Sequence, residues 1–169
     1  MRIARQIGEV VIITRDANVR RLAKQAGVWA LVESGTDLNA ALRQASEWVS
    51  VRGAAASLIL PSDLPLLNFA SLNEIIRAGR HTPSIVISPC RRFDGTNALL
   101  LRPPGLIDFS YGPGSFEKHR QAAQAVGIEP VIYQSATIAL DLDVPDDLKE
   151  SDMLPLRRNE RTNICFGDG

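Results

Sequence analysis

Between residues 9 and 60 the chain alternates strand-like and helix-like patterns, and this alternation limits the folds open to it. Residues 9–14, Glu-Val-Val-Ile-Ile-Thr, form a nearly continuous β-branched run, the pattern of a strand covered on both faces. Asp16 then offers a helix cap, with Val19, Leu22, Ala23 and Ala26 on one helical face and Gly27 as a stop. Residues 28–32 predict a second strand. Thr36 or Asp37 opens a second helix carrying Leu38, Ala41, Leu42, Ala45, Trp48 and Val49, and residues 56–60 predict a third strand. This β-α-β-α-β order predicts an α/β fold with a mostly parallel sheet and helices on both faces, a three-layer sandwich.

The pattern continues with a helix over residues 69–78 and a strand over 84–88. A further strand over 97–101 follows the Asp94-Gly95 turn. A helix over 115–126 ends at Gly127, and strands are expected over 130–133 and 137–142. One domain over residues 1–149 is expected, followed by a polar, Arg-rich, mobile tail over 150–169.

Lys+Arg and Asp+Glu balance at 19 each in 169 residues, so no global field points to nucleic acid or an acidic membrane as partner. Any bound anion must be held locally. Cys90 and Cys165 have neither disulfide-framework nor metal-site spacing, and no run approaches the roughly 20 apolar residues of a membrane span. The start has no apolar segment of signal-peptide length, and a reduced cytoplasmic compartment is expected.

Open α/β sheets bind ligands beyond the carboxyl ends of their strands. The stretch LPSDLPLL, residues 60–67, sets Asp63 just past such an end. Asp141 and Asp143 stand at the end of the run over 137–140, and in extended chain residues two apart point to one side. Together the three carboxylates would make a hard-oxygen cluster suited to Mg²⁺. Turn and helix-cap roles explain the same residues one at a time. Asp94-Gly95-Thr96-Asn97 favours a tight turn with positive φ, which is either an ordinary hairpin turn or a set of amides aimed at an anion. Gly112-Pro-Gly-Ser115 before a helix suits an anion site, an N-cap by Ser115, or both. Arg91-Arg92 could meet phosphate oxygens or face solvent. His119 reads as a surface or capping histidine and Cys90 as a small buried residue.

Four segments in order, LPSDLPLL, RRFDGTNALLL, YGPGSFEKHRQAA and ALDLDVPDDL, resemble the guanylyltransferases of coenzyme F420 biosynthesis across about residues 9–149. The resemblance implies a nucleotide-diphospho-sugar-transferase-like α/β sandwich. It implies transfer of GMP from GTP to 2-phospho-L-lactate, phosphoenolpyruvate or 3-phospho-D-glycerate. It implies Mg²⁺ on Asp63, Asp141 and Asp143. Thr96, Gly112 and Ser115 would hold the acid, mainly through backbone amides. Leu38 and Asn39, in a segment similar to the family's G-L-N-x-A-L, would lie near the nucleotide, with Asp37 standing where the family has glycine. Homodimerisation is left open. The family's front strand, V-V-P-x-K, and its basic loop have no counterpart ahead of residue 9, so the chain resembles an N-terminally truncated member with a gap or open edges mid-sheet. Two other functions are compatible with that departure: an inactive binding protein of the same fold, or a nucleotidyltransferase for a sugar phosphate or a molybdopterin.

Overall fold

The structure, a computed structural model, describes residues 7–140. Asp141, Asp143 and the expected tail lie outside the described residues. Six strands and five helices follow in chain order, beginning β1 (Val11–Thr14), α1 (Ala17–Gln25), β2 (Trp29–Val32) and α2 (Leu38–Val51). Then come β3 (Ser57–Ile59), α3 (Phe69–Ala78), β4 (Ser84–Pro89), β5 (Thr96–Arg102), α4 (Ser115–Ala125), β6 (Val131–Ile132) and α5 (Ala136–Ala139).

The helices start where short polar side chains can hold the first free amides. Asp16 accepts from the Asn18 and Val19 amides, Asp37 from Ala40 and Asn68 from Ser71. The strands form two sheets. β1 pairs with β2 in parallel, Val11 opposite Trp29. The second sheet has the order β3-β5-β4-β6, with β5 antiparallel to both neighbours and β6 parallel to β4. Neither β1 nor β3 has a ladder partner on its second side among the described residues. The four residues of β1 are accordingly only half-buried, although their sequence predicts cover on both faces.

Strand periodicity sorts the core into two layers. Ile85, Ile87, Leu99 and Leu101 point to one face, against Ala123 of α4 and Leu42 of α2. Val86, Ala98 and Leu100 point to the other, against Ile75 of α3 and Ile138 of α5. The result is helix, sheet, helix. Helix α2 joins the two sheets: it packs on β1, and its Leu42 reaches the β4–β5 core. Trp48 of α2 meets Trp29 of β2 at 5.4 Å between rings, and the Arg52 guanidinium lies over both.

One expected strand is not formed. Residues 137–140 fall in α5 and its C-terminal flank rather than in the strand expected over 137–142. The Ile138 and Ala139 amides donate to the Ser135 carbonyl, and the Ile138 carbonyl accepts from Asn97 Nδ2 at 2.8 Å. The Thr137 hydroxyl donates to Ser71. With these local and side-chain partners the β-branched residues need no ladder.

Candidate functional site

The register fixes which strand ends share one edge of the second sheet. Ile59 faces Leu99 and Pro89 faces Thr96, so the carboxyl ends of β3 and β4 lie at the end where β5 begins. β6 ends there too, being parallel to β4. Asp63 follows β3 at this end, exposed and with no hydrogen bond or ion pair among the described residues. Its neighbour Leu64 is buried in the same cluster as Ile138, three residues before Asp141. The Arg91 amide, at the end of β4, donates to the Ala139 carbonyl. Beside this junction a cavity of about 230 Å³ opens between Pro89, Cys90 and Phe93 on one side and Gln134, Ser135 and Ala139 on the other.

The turn between β4 and β5 is tight, with the Cys90 amide on the Gly95 carbonyl and the Phe93 amide on the Cys90 carbonyl. Positive φ occurs here at Phe93, 58°, and not at Asp94 or Gly95 as the Asp-Gly pair suggests. Asp94 is thereby turned toward α4. Its Oδ2 accepts from the Gly114 amide at 3.2 Å and its carbonyl from the Phe116 amide at 3.0 Å. The helix cap therefore comes from the hairpin. Ser115 is not the N-cap but the first helical residue, and Gly114, at φ 70°, takes the cap position that a residue with a Cβ fills only under strain.

Freed from capping, Ser115 Oγ accepts from the Thr96 amide at 2.9 Å. The Thr96 Oγ1 lies 2.9 Å from His119 Nδ1, and the Ser110 amide donates to His119 Nε2 at 3.0 Å. An amide can only donate, so Nε2 carries the lone pair and the proton sits on Nδ1. Nδ1–H then donates to Thr96 Oγ1. His119 is 0% exposed, against its sequence reading as a surface or capping residue. Burial, with a smaller push from Lys118, lowers its imidazole to about 4 and keeps it neutral. Its spacing of four from Ser115 was the legible signal, since it places both on one helical face with Ala123.

Asn39 is held at the N-terminus of α2 and spends both ends of its amide on one residue. Its Nδ2 donates to the Tyr111 carbonyl at 3.1 Å and its Oδ1 accepts from the Tyr111 amide at 2.8 Å. Leu38 beside it is exposed. The Ala40 amide holds the Asp37 carboxyl below the usual carboxylate range. Tyr111 stacks edge-on to His119 at 4.9 Å between rings, and its buried hydroxyl meets no partner among the described residues.

The Thr96 and Gly112–Ser115 segments are thus bonded to each other, not set across a pocket. The Thr96 and Ser115 amides are consumed, the second by the Gly112 carbonyl. Three donors remain without an acceptor among the described residues: the Thr96 O–H, the Ser115 O–H and the Gly112 N–H. Each of the three residues implied for acid binding keeps one unused donor, two of them hydroxyls where amides were expected. Among the described residues no cluster of three or more metal-ligating side chains forms. No helix of the described residues is long and apolar enough to cross a membrane.

The fold defines a class first. A crystal structure from Desulfovibrio desulfuricans G20, assigned to the nucleotide-diphospho-sugar transferases, superposes with TM-score 0.65 over 89% of this chain and 77% of its own, at 15% identity. The chain has that α/β fold. The model of the family described as "Guanylyl transferase CofC like" matches residues 2–156, and the chain belongs to this family. A phosphoenolpyruvate guanylyltransferase from Rubrobacter xylanophilus is 42% identical, over 82% of this chain and 68% of the relative. A 2-phospho-L-lactate guanylyltransferase from Methanocaldococcus vulcanius is 32% identical, over 84% and 63%. A 3-phospho-D-glycerate guanylyltransferase from Colwellia psychrerythraea is 31% identical, over 83% and 66%. The chain spans about two thirds of the length of these relatives.

Proposed function

We propose that the protein transfers GMP from GTP to a small phosphorylated acid, as in coenzyme F420 biosynthesis, with phosphoenolpyruvate as the favoured acceptor. The observation that carries this reading is the set of three unused donors on Thr96, Gly112 and Ser115 at the carboxyl end of the sheet, in a chain of this family. Oxygens of an ionised acid accept from such donors in charge-assisted bonds, roughly twice as strong as those to a neutral sugar hydroxyl. The 42% identity to a relative named for phosphoenolpyruvate favours that acid over the other two.

In the reaction an acceptor phosphate oxygen bonds to the α-phosphorus of GTP. The bond from that phosphorus to the β-bridging oxygen breaks, and pyrophosphate leaves with the electron pair. The attacking oxygen is already ionised, so no general base is needed. His119 has both ring nitrogens engaged and does not act as one. Catalysis rests on positioning and charge neutralisation. Asp63, an exposed hard-oxygen donor with no partner among the described residues, fits a divalent cation, and Asp141 and Asp143 would complete its ligands. Mg²⁺ held there would supply positive charge to the phosphate oxygens. At the N-terminus of α2, exposed Leu38 offers an apolar contact to the nucleotide, while Asn39 acts through its grip on Tyr111. A cytoplasmic location accords with Cys90, which is free.

The test is turnover with GTP, Mg²⁺ and each of the three acids, with the products identified by mass spectrometry. Guanylylated phosphoenolpyruvate as the main product is expected. Transfer only to sugar phosphates, or no transfer to any of the three acids, would overturn the reading.

A further inference from the structure

His119 has no part in the chemistry just described, yet it is the most deeply buried ionisable ring beside the acid site. The residue joins three chain segments. It lies on α4, takes the Ser110 amide from the loop ahead of that helix, and meets Thr96 at the start of β5. We infer that His119 is a positioning residue which orients the Thr96 hydroxyl: its Nδ1–H occupies one of the two Oγ1 lone pairs, so the hydroxyl proton points away from the ring and is free to donate to a ligand.

The argument is one of hydrogen-bond direction. A threonine hydroxyl alone can donate or accept, and would greet an oxyanion or a hydroxyl ligand alike. Here the Ser110 amide fixes the lone pair at Nε2, which places the ring proton at Nδ1. At 2.9 Å that proton points to Thr96 Oγ1. The neighbouring Ser115 oxygen is engaged in the same sense by the Thr96 amide. Each hydroxyl therefore has one lone pair occupied from behind and its proton directed away from that group. The junction thus presents oriented protons to the acceptor oxygens of an ionised carboxylate or phosphate. This inference rests on the acceptor reading above and adds His119 as a determinant of acceptor affinity.

The experiment uses the full chain and three variants: His119→Phe, His119→Asn and His119→Gln. Asn can keep a donor near Nδ1, whereas Gln reaches toward the Ser110 amide. Binding of phosphoenolpyruvate is followed by calorimetry, beside GTP binding and thermal melting. His119→Phe is expected to weaken phosphoenolpyruvate at least about tenfold with GTP affinity unchanged, the loss of one hydrogen bond's alignment to a charged ligand. His119→Asn should recover most of that loss and His119→Gln little of it. Should His119→Phe fail to fold, the Asn–Gln contrast still decides. Nitrogen-15 spectra of the wild-type imidazole should show the proton on Nδ1; a proton on Nε2 would overturn the inference whatever binds. Equal phosphoenolpyruvate affinity in all folded variants would overturn it and leave the acceptor reading standing. A wild-type chain that binds no phosphoenolpyruvate would overturn both.

Discussion

At the scale of single residues, His119 shows how a buried polar group is kept by satisfying every atom. It titrates at about 4 in the folded chain, below the ordinary 6.5. Between those values the unfolded chain takes up a proton that the folded chain refuses. Stability contributed by this group is therefore complete above about pH 6.5 and is lost as pH falls toward 4. The loss should reach about 2–3 kcal/mol by about pH 4.5. Urea unfolding at about pH 7 and about pH 4.5 would show it, and in His119→Phe most of the difference should vanish. A wild-type midpoint that does not move between these pH values would contradict the buried neutral ring.

At the scale of elements, the N-terminus of α4 is held by the hairpin before β5. Asp94 supplies one side-chain and one main-chain acceptor to amides that no residue of the helix could satisfy. Asp94→Ala should cost about 1 kcal/mol, the usual loss on removing a cap, and Asp94→Asn about half of that or less. Chemical denaturation of the two variants would check the order; an Ala variant as stable as wild type would mean that the carboxylate is dispensable. The sheet edges make a second element-scale prediction. β4 is fully buried and paired on both sides along part of its length, whereas β1 and β3 keep one unpaired edge among the described residues. Amides of β1 and β3 should exchange with solvent faster than those of the β4–β5 ladder. Equal protection in hydrogen exchange would show that both open edges are covered in solution.

At the scale of the whole molecule, the site exists because one antiparallel strand reverses the sheet. β5 runs against β3 and β4, so its first residue, Thr96, meets their carboxyl ends. That places the Thr96–Ser115 junction, proposed to bind the acid, and Asp63 at the same end of the second sheet. Asp63→Asn should lower guanylyl transfer to phosphoenolpyruvate about a hundredfold or more, as expected when charge stabilisation of a phosphoryl centre is removed. Melting should be unaffected, because the carboxylate is exposed and bonds to nothing described. An Asp63→Asn variant with normal turnover across Mg²⁺ concentrations would remove this residue from the proposed metal site.

The sequence by itself determined the α/β class and the order of elements through α4. Period and caps are local properties, legible wherever an apolar stripe is framed by Asp16, Asp37 or a helix-ending glycine. Only the tertiary structure decided what those residues do. Ser115 was read as a cap because serine before a helix usually is one, but the cap position falls one residue earlier, at Gly114, whose amide and that of Phe116 are held by Asp94. His119 looked like a surface residue because nothing nearby in sequence says that Thr96 and Ser110 converge on it. Residues 137–140 read as a strand from their β-branched composition, and Asn97 and Ser135 made a helical turn sufficient. In each case the deciding partner is distant in the chain or in a role that periodicity does not encode. Hydrogen-bond direction is settled by which groups the fold brings within about 3 Å of one another.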